Sequence, residues 1–171
     1  EMSLRVFIDT VTLRHFGAVG RLDIIQYVFS STAAPRWTFE AREEVRRHRG
    51  EVGCNAVLES AAGWLGAPEE PETEDLVPIQ RILTGLAEGR INPKDAGEAE
   101  AIHFAEKHEA EFVTDDGAAY AFAARRLETH RVHDTVHILR TAVAEGHLTA
   151  GAASSLCLAM ERQQRYLRRV H

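Results

Sequence analysis

The sequence predicts an α/β fold in which a short central parallel sheet is flanked by helices, and three observations predict it. Two short apolar runs, Arg5-Val6-Phe7-Ile8-Asp9-Thr10 and Glu111-Phe112-Val113-Thr114-Asp115-Asp116, each end in acids. Apolar runs of this length with no alternation read as strands buried on both faces, the pattern of a parallel sheet. Helix-period segments lie between them, and that β-α-β alternation places helices over the sheet.

Taken in order, the first run is a strand, and Leu13 to Phe29 predicts helical turns with a break around Gly17 and Gly20. Pro35-Arg36-Trp37-Thr38 predicts a second short strand leading into a helix over Phe39–His48, and residues 55–65 predict another helix ended near Gly66. The stretch from Gly66 to Asp75 carries Pro68, Pro71 and four glutamates, and it reads as an acidic surface insertion at about 66–78. Too little chain lies on either side for two cores, so the expectation is one domain over residues 1–171. A helix is predicted over about 79–89, and a further one opens at Asp95-Ala96-Gly97-Glu98 and runs to about His108. After the Glu111–Asp116 strand, Ala118–Leu127 puts Ala119, Phe122, Ala123 and Leu127 on one face of a helix. Helices near 135–145 and 150–170 make a helical C-terminal end.

Hydrophobic residues make up 44% of the 171 and charged residues 27%, an ordinary globular balance. No apolar run approaches the roughly 18–20 residues of a membrane helix. The opening residues hold no long apolar segment of a secretory signal, so a cytoplasmic protein is expected. Cys54 and Cys157 lie far apart, match no zinc or redox spacing, and read as small buried groups in a reducing compartment. The net charge of −6 argues against broad nucleic-acid affinity, but it is unevenly spread. Residues 1–124 hold 12 Lys/Arg against 22 Asp/Glu, net −10, while residues 125–171 hold 8 against 4, net +4. That division fits carboxylates gathered for metal and arginines placed for phosphate, and equally a solvated acidic body with a basic end.

In open parallel sheets functional groups gather beyond the carboxyl ends of the strands. Asp9 and Asp115-Asp116 stand at two such ends, and Glu44 and the Asp95/Glu98 pair line or open helices that feed the same region. Carboxylates crowded at one sheet end stay ionised only with cations among them. Oxygen ligands select Mg²⁺ or Mn²⁺, which can activate water for in-line attack on phosphate. Each acid also has a structural explanation. Asp95-x-x-Glu98 is a capping-box arrangement, Asp115 or Asp116 can cap the helix that follows, and Glu44 can sit in exposed i,i+4 pairs. A charge directly after Val6-Phe7-Ile8 is the hardest to explain structurally.

Phe7-Ile8-Asp9-Thr10, with Leu13 and Gly20-Arg21-Leu22-Asp23-Ile24-Ile25, resembles the opening of a PIN domain. Glu43-Glu44-Val45 falls where that family carries a second acid on a helix. Gly97-Glu98-Ala99-Glu100-Ala101-Ile102 and Phe112-Val113-Thr114-Asp115-Asp116 resemble the segments bearing the third and fourth acids, 18 residues apart from Glu98 to Asp116. The likeness runs from about residue 4 to 160. It implies a Rossmann-like fold and a pocket of Asp9, Glu44, Glu98 and Asp116 holding one or two Mg²⁺ or Mn²⁺. It implies RNA as substrate, and a VapC-type toxin of a type II toxin–antitoxin pair, homodimeric and silenced by a small antitoxin. The chain departs from the family pattern in its length, in Glu98 where Asp is commoner, and in the 66–92 stretch.

Weaker signals complete the reading. Thr10 and Thr114 beside the acids can orient a metal or water, as the family resemblance implies, or be β-branched residues at strand ends. His133 and His137 have the i,i+4 spacing of a helical metal site, but a helix capped by Asp134 or Thr135 explains the segment more simply. In the last helix Leu156, Ala159, Met160, Gln163 and Leu167 make a packing stripe, and Arg162, Arg165 and Arg169 lie along another face, able to track phosphates or simply be solvated. The expected reaction is metal-dependent hydrolysis of an RNA phosphodiester, with Asp9 and Asp116 as principal ligands and Asp115 in a supporting or capping place. The alternative is a PIN-fold module that binds RNA or protein without cleavage.

Overall fold

Val6, Phe7 and Ile8 are buried on both faces of strand β1 (Leu4–Ile8), and the two layers of the protein are built on that alternation. The structure is a computed structural model describing residues 4–30, 33–87 and 95–163. Val6 and Ile8 point into one cluster with Leu13, Phe16, Ile24, Ile25, Trp37, Val45, Val57, Ile138 and Met160. Phe7 points into the other with Ile82, Ile102, Phe104, Ala105 and Ala123. Strand β3 (Glu111–Val113) repeats the pattern, sending Phe112 to the second cluster and Val113 to the first.

The sheet is four parallel strands in the order β2-β1-β3-β4, with β2 at Ala33–Arg36 and β4 at Val132–His133. Strand β2 begins two residues before the predicted position. It lies at the edge, where Pro35 costs no interior ladder hydrogen bond. Strand β4 was not predicted, since two residues carry no periodic signal.

One side of the sheet carries α1 (Thr10–Ala18), α2 (Leu22–Phe29), α4 (Cys54–Ser60), α8 (Thr135–Ala144) and α9 (Ala150–Arg162). The other carries α5 (Leu76–Leu86), α6 (Ala96–Lys107) and α7 (Gly117–Arg126), while α3 (Phe39–Arg47) contacts both α4 and α6. Gly17 continues α1 rather than breaking it. It lies against Gly53, whose φ of +90° starts α4, so closely that a Cβ on Gly17 would come within 2.6 Å of the Gly53 carbonyl oxygen.

The 66–75 stretch is tied down at both ends. Trp37 Nε1 donates to the Gly66 carbonyl at 2.9 Å, and on either side of Thr38 the Phe39 amide donates to the Glu69 carbonyl and the Glu69 amide to the Trp37 carbonyl, both at 2.9 Å. Asp75 is buried, accepting from His103 Nε2 at 2.7 Å, Lys107 Nζ at 2.9 Å and the Glu72 amide at 2.9 Å. Helix α5 therefore starts at Leu76, three residues before the predicted start, with Pro78 in its first turn where a missing N–H costs nothing.

Each strand hands its chain to a helix whose N-terminus a side chain caps. Asp9, Thr38, Asp116 and Asp134 accept amide hydrogens at the starts of α1, α3, α7 and α8. Four helix N-termini thus face the carboxyl edge of the sheet, where strand ends and helix dipoles favour anionic groups. Among the described residues no helix is long and apolar enough to cross a membrane.

Candidate active site

Asp9 is the first residue beyond β1, and the same step that ends the strand starts the helix. Its Oδ1 accepts the Thr12 amide at 2.8 Å as N-cap, and its Oδ2 accepts the Thr114 hydroxyl. The Asp9 amide donates to the Val113 carbonyl at 3.0 Å, which sets the ends of β1 and β3 side by side. The carboxyl is 2% exposed, and burial, with the charge of Asp115 adding to it, pushes its pKa up to about 7 against the lowering effect of these hydrogen bonds.

Glu98 lies in the first turn of α6. Burial pushes its carboxyl well above the usual carboxylate range, and the charge of Asp9, then those of Glu44 and Asp116, raise it further. Its Oε2 is buried with no hydrogen-bond partner among the described residues. Glu44, on α3, brings its Oε2 to 3.7 Å from where a Cβ of Gly97 would stand, so α3 and α6 present their acids to each other. Glu43 is turned elsewhere, to Arg42 and Arg46. Asp116 is exposed, with Oδ1 accepting the Ala119 amide at 2.8 Å. Its charge also joins burial, the larger cause, in raising the carboxyl of Asp95.

Three of the four acids named from the sequence, Asp9, Glu44 and Asp116, thus act electrostatically on the fourth, Glu98. As the side chains stand, no three of the His, Cys, Asp or Glu groups among the described residues meet closely enough to grip one ion. Two of the four have oxygens committed to capping amides. The Asp95–Glu98 capping box does not form, because Asp95 has φ −91° and ψ 3° and its side chain caps no amide. Thr10 is buried with its hydroxyl unpartnered among the described residues, and Thr114 holds both Asp9 and the Asp116 amide.

Asp115 turns the other way from Asp116, into the protein. Its Oδ2 accepts from His15 Nδ1 at 2.7 Å, from the Thr12 hydroxyl at 3.2 Å and from the Thr135 hydroxyl, and its Oδ1 accepts the Thr135 amide at 2.8 Å. One carboxylate therefore joins α1, the β3–α7 turn and the start of α8. The sequence signals neither His15 nor Thr135 as partners, because they lie 100 residues before and 20 residues after it.

His133 is on β4 and His137 on α8, so they are not one turn of a helix. Their rings stack at 4.1 Å, and His133 Nε2 bonds to Glu111 at 2.9 Å. Asp134 caps α8. Met160 is fully buried in the α9 stripe, with Leu156 packed beside it. Arg162 is exposed at the end of α9, while Arg165, Leu167 and Arg169 lie outside the described residues.

A four-stranded parallel α/β sheet with buried carboxylates at its carboxyl edge is compatible with a nuclease-type fold. A family profile described as a PIN domain matches residues 5–170, and the chain belongs to the PIN-domain family. No curated protein and no solved structure matches it.

Proposed function

We propose that the protein is a Mg²⁺- or Mn²⁺-dependent endoribonuclease that hydrolyses RNA phosphodiester bonds, and that it is the toxin of a toxin–antitoxin pair. One observation carries the reading. Glu98 has a buried oxygen with no donor among the described residues, and the charges of Asp9, Glu44 and Asp116 bear on the same carboxyl. A buried oxygen in such a field is costly unless a proton or a cation satisfies it, and a cation does so with the carboxyl ionised. The donor set is all oxygen, which fits a hard divalent ion.

Asp9, Glu44, Glu98 and Asp116 would hold the ion, with Asp9 and Asp116 as principal ligands. A divalent ion bound there would supply a water nucleophile at neutral pH and stabilise the oxygens of an in-line displacement. Thr114 fixes the Asp9 carboxylate through its hydroxyl, and the Thr10 hydroxyl, unpartnered among the described residues, would orient water or phosphate. Asp115 acts through position, clamping α1 and α8 beside the acids. Arg162, with Arg165 and Arg169, would meet substrate phosphates from the basic end of an otherwise acidic chain. The toxin role, with a small antitoxin as partner and a homodimer as working state, rests on the likeness of the four acidic motifs to VapC-type proteins.

The test is cleavage of single-stranded RNA by the purified chain. Cutting in Mn²⁺ or Mg²⁺ that disappears in EDTA and in Asp9→Asn is expected. Calorimetry showing no Mn²⁺ binding at all would overturn the enzyme and leave a PIN-fold binding module.

A further inference from the structure

Away from the acids, the first turn of α3, Glu70-Pro71, the first turns of α5 and the start of α6 enclose a cleft of about 430 Å³. Its walls are apolar, formed by Phe39, Pro71, Leu76 and Ile79. Glu100 lines it and is 3% exposed. Its Oε1 accepts the Glu40 amide at 3.1 Å, and among the described residues nothing donates to Oε2. The comparison with Asp75 is instructive, because that buried carboxylate packs against the same helix and receives a histidine, a lysine and an amide. Glu40 and Glu70 add two carboxylates at the cleft, engaged among the described residues by Arg47 and Arg42 at 3.8 and 3.9 Å.

A buried carboxylate with a spare oxygen in an apolar cleft is complementary to a cation on an aliphatic stem. Leu76, at the cleft, and Val77, beside it on α5, are 56% and 59% exposed, large apolar side chains with no cover. We propose that this cleft receives an arginine or lysine side chain from a segment of a protein partner, with apolar residues of that segment lying on Leu76 and Val77. The stem runs between Phe39 and Ile79, and the head meets Glu100. Arginine suits the site better, since its planar fork can bond Glu100 and Glu40 together. Glu98 and Glu100 are two residues apart on one helix, about 200° around its axis, so the cleft and the acid cluster are separate. The inference does not depend on nuclease activity.

The test uses the full chain, ¹⁵N-labelled, titrated with the tripeptide amide acetyl-Leu-Arg-Leu-NH₂. Saturable shifts are expected at the amides of Phe39, Leu76, Ile79 and Glu100. Replacing the arginine with citrulline, or Glu100 with Gln, is expected to weaken binding roughly tenfold, the scale of one charge-assisted hydrogen bond. Leu76→Ser, an exposed position that leaves the fold intact, is expected to weaken the peptide as well, and Asp9→Asn to leave it unchanged. No saturable shift, equal binding of the citrulline peptide, or loss of binding in Asp9→Asn overturns the proposal. Agmatine binding as tightly as the peptide overturns the protein segment as occupant.

Discussion

Thr114 donates its hydroxyl to Asp9 Oδ2 and with the same oxygen accepts the Asp116 amide at 3.1 Å, so one side chain ties two of the four acids together across adjacent strands. Thr114 is fully buried, and no water can replace it easily. Thr114→Val keeps the shape and β-propensity but strands a carboxylate oxygen and an amide. The expected cost is about 1–3 kcal/mol of stability, the price of leaving buried polar groups unpaired. Under the proposed function, RNA cleavage falls at least tenfold while Thr114→Ser keeps most of it. Chemical denaturation and a cleavage assay on both variants check this, and an unchanged rate in the Val variant would contradict the role given to Thr114.

The second prediction concerns how α1, the helix that carries Thr12 and His15, is seated. Gly17 and Gly53 meet backbone to backbone, and a methyl on Gly17 would fall 2.6 Å from a carbonyl oxygen that cannot move without shifting α4. Gly17→Ala improves helix propensity yet is expected to destabilise by about 1–3 kcal/mol, because overpacking outweighs propensity here. A thermal melt decides it: a Tm equal to or above that of the parent would mean that the two helices separate at little cost.

The sequence made β1 and Asp9 legible because an ionisable group directly after three buried apolar residues needs a specific reason. Asp116 was visible more weakly, at the acidic end of the short Phe112-Val113-Thr114 run, and Glu98 through its place at the start of a helix. The role of Asp115 was only half visible. Its partners His15 and Thr135 come from elements joined by packing, which no local period encodes. Asp95 misled for a related cause: the capping-box spacing is present, but the backbone there adopts a conformation in which its side chain cannot cap. The 66–75 loop looked solvated from its composition, and the buried Asp75 became apparent only with His103 and Lys107 brought across from α6.

Asp75 leads to the third prediction. Burial alone would raise its carboxyl, but bonds from His103, the Glu72 amide and Lys107 more than offset this and hold it well below its ordinary value of 3.8. A depressed folded pKa stabilises at pH above the unfolded value and is lost as pH falls below about 4. Asp75→Asn is expected to cost about 2–3 kcal/mol at pH 7, less than for a fully buried pair because Lys107 is partly solvated. The penalty should shrink toward pH 3. A penalty that stays constant from pH 7 to 3 would show that Asp75 acts by shape rather than charge.

The last prediction runs in the opposite direction, at the acid cluster. Burial, joined by the charge of Asp115, raises Asp9 from 3.8 to about 7, and burial, joined by Asp9, Glu44 and Asp116, raises Glu98 well above 4.5. Burial, with Glu40 adding its charge, raises Glu100 from 4.5 to about 7. A group whose folded pKa is raised binds its proton more tightly when folded, so it stabilises fully below the unfolded pKa, near 4, and that stability is lost as pH rises through the folded pKa. In EDTA, Tm is therefore expected to fall by several degrees between pH 5 and pH 8, a change of a few kcal/mol in a domain of this size. Asp9→Asn keeps a good helix cap, removes one of the titrating charges, and is expected both to raise Tm at pH 8 and to flatten the profile. Mn²⁺ added at pH 8 should raise Tm in the parent chain, through binding to the folded state alone, and do so much less in the variant. A Tm that rises from pH 5 to pH 8 in EDTA would mean that these carboxyls are solvated and titrate normally, and the electrostatic basis of the site would fall with it.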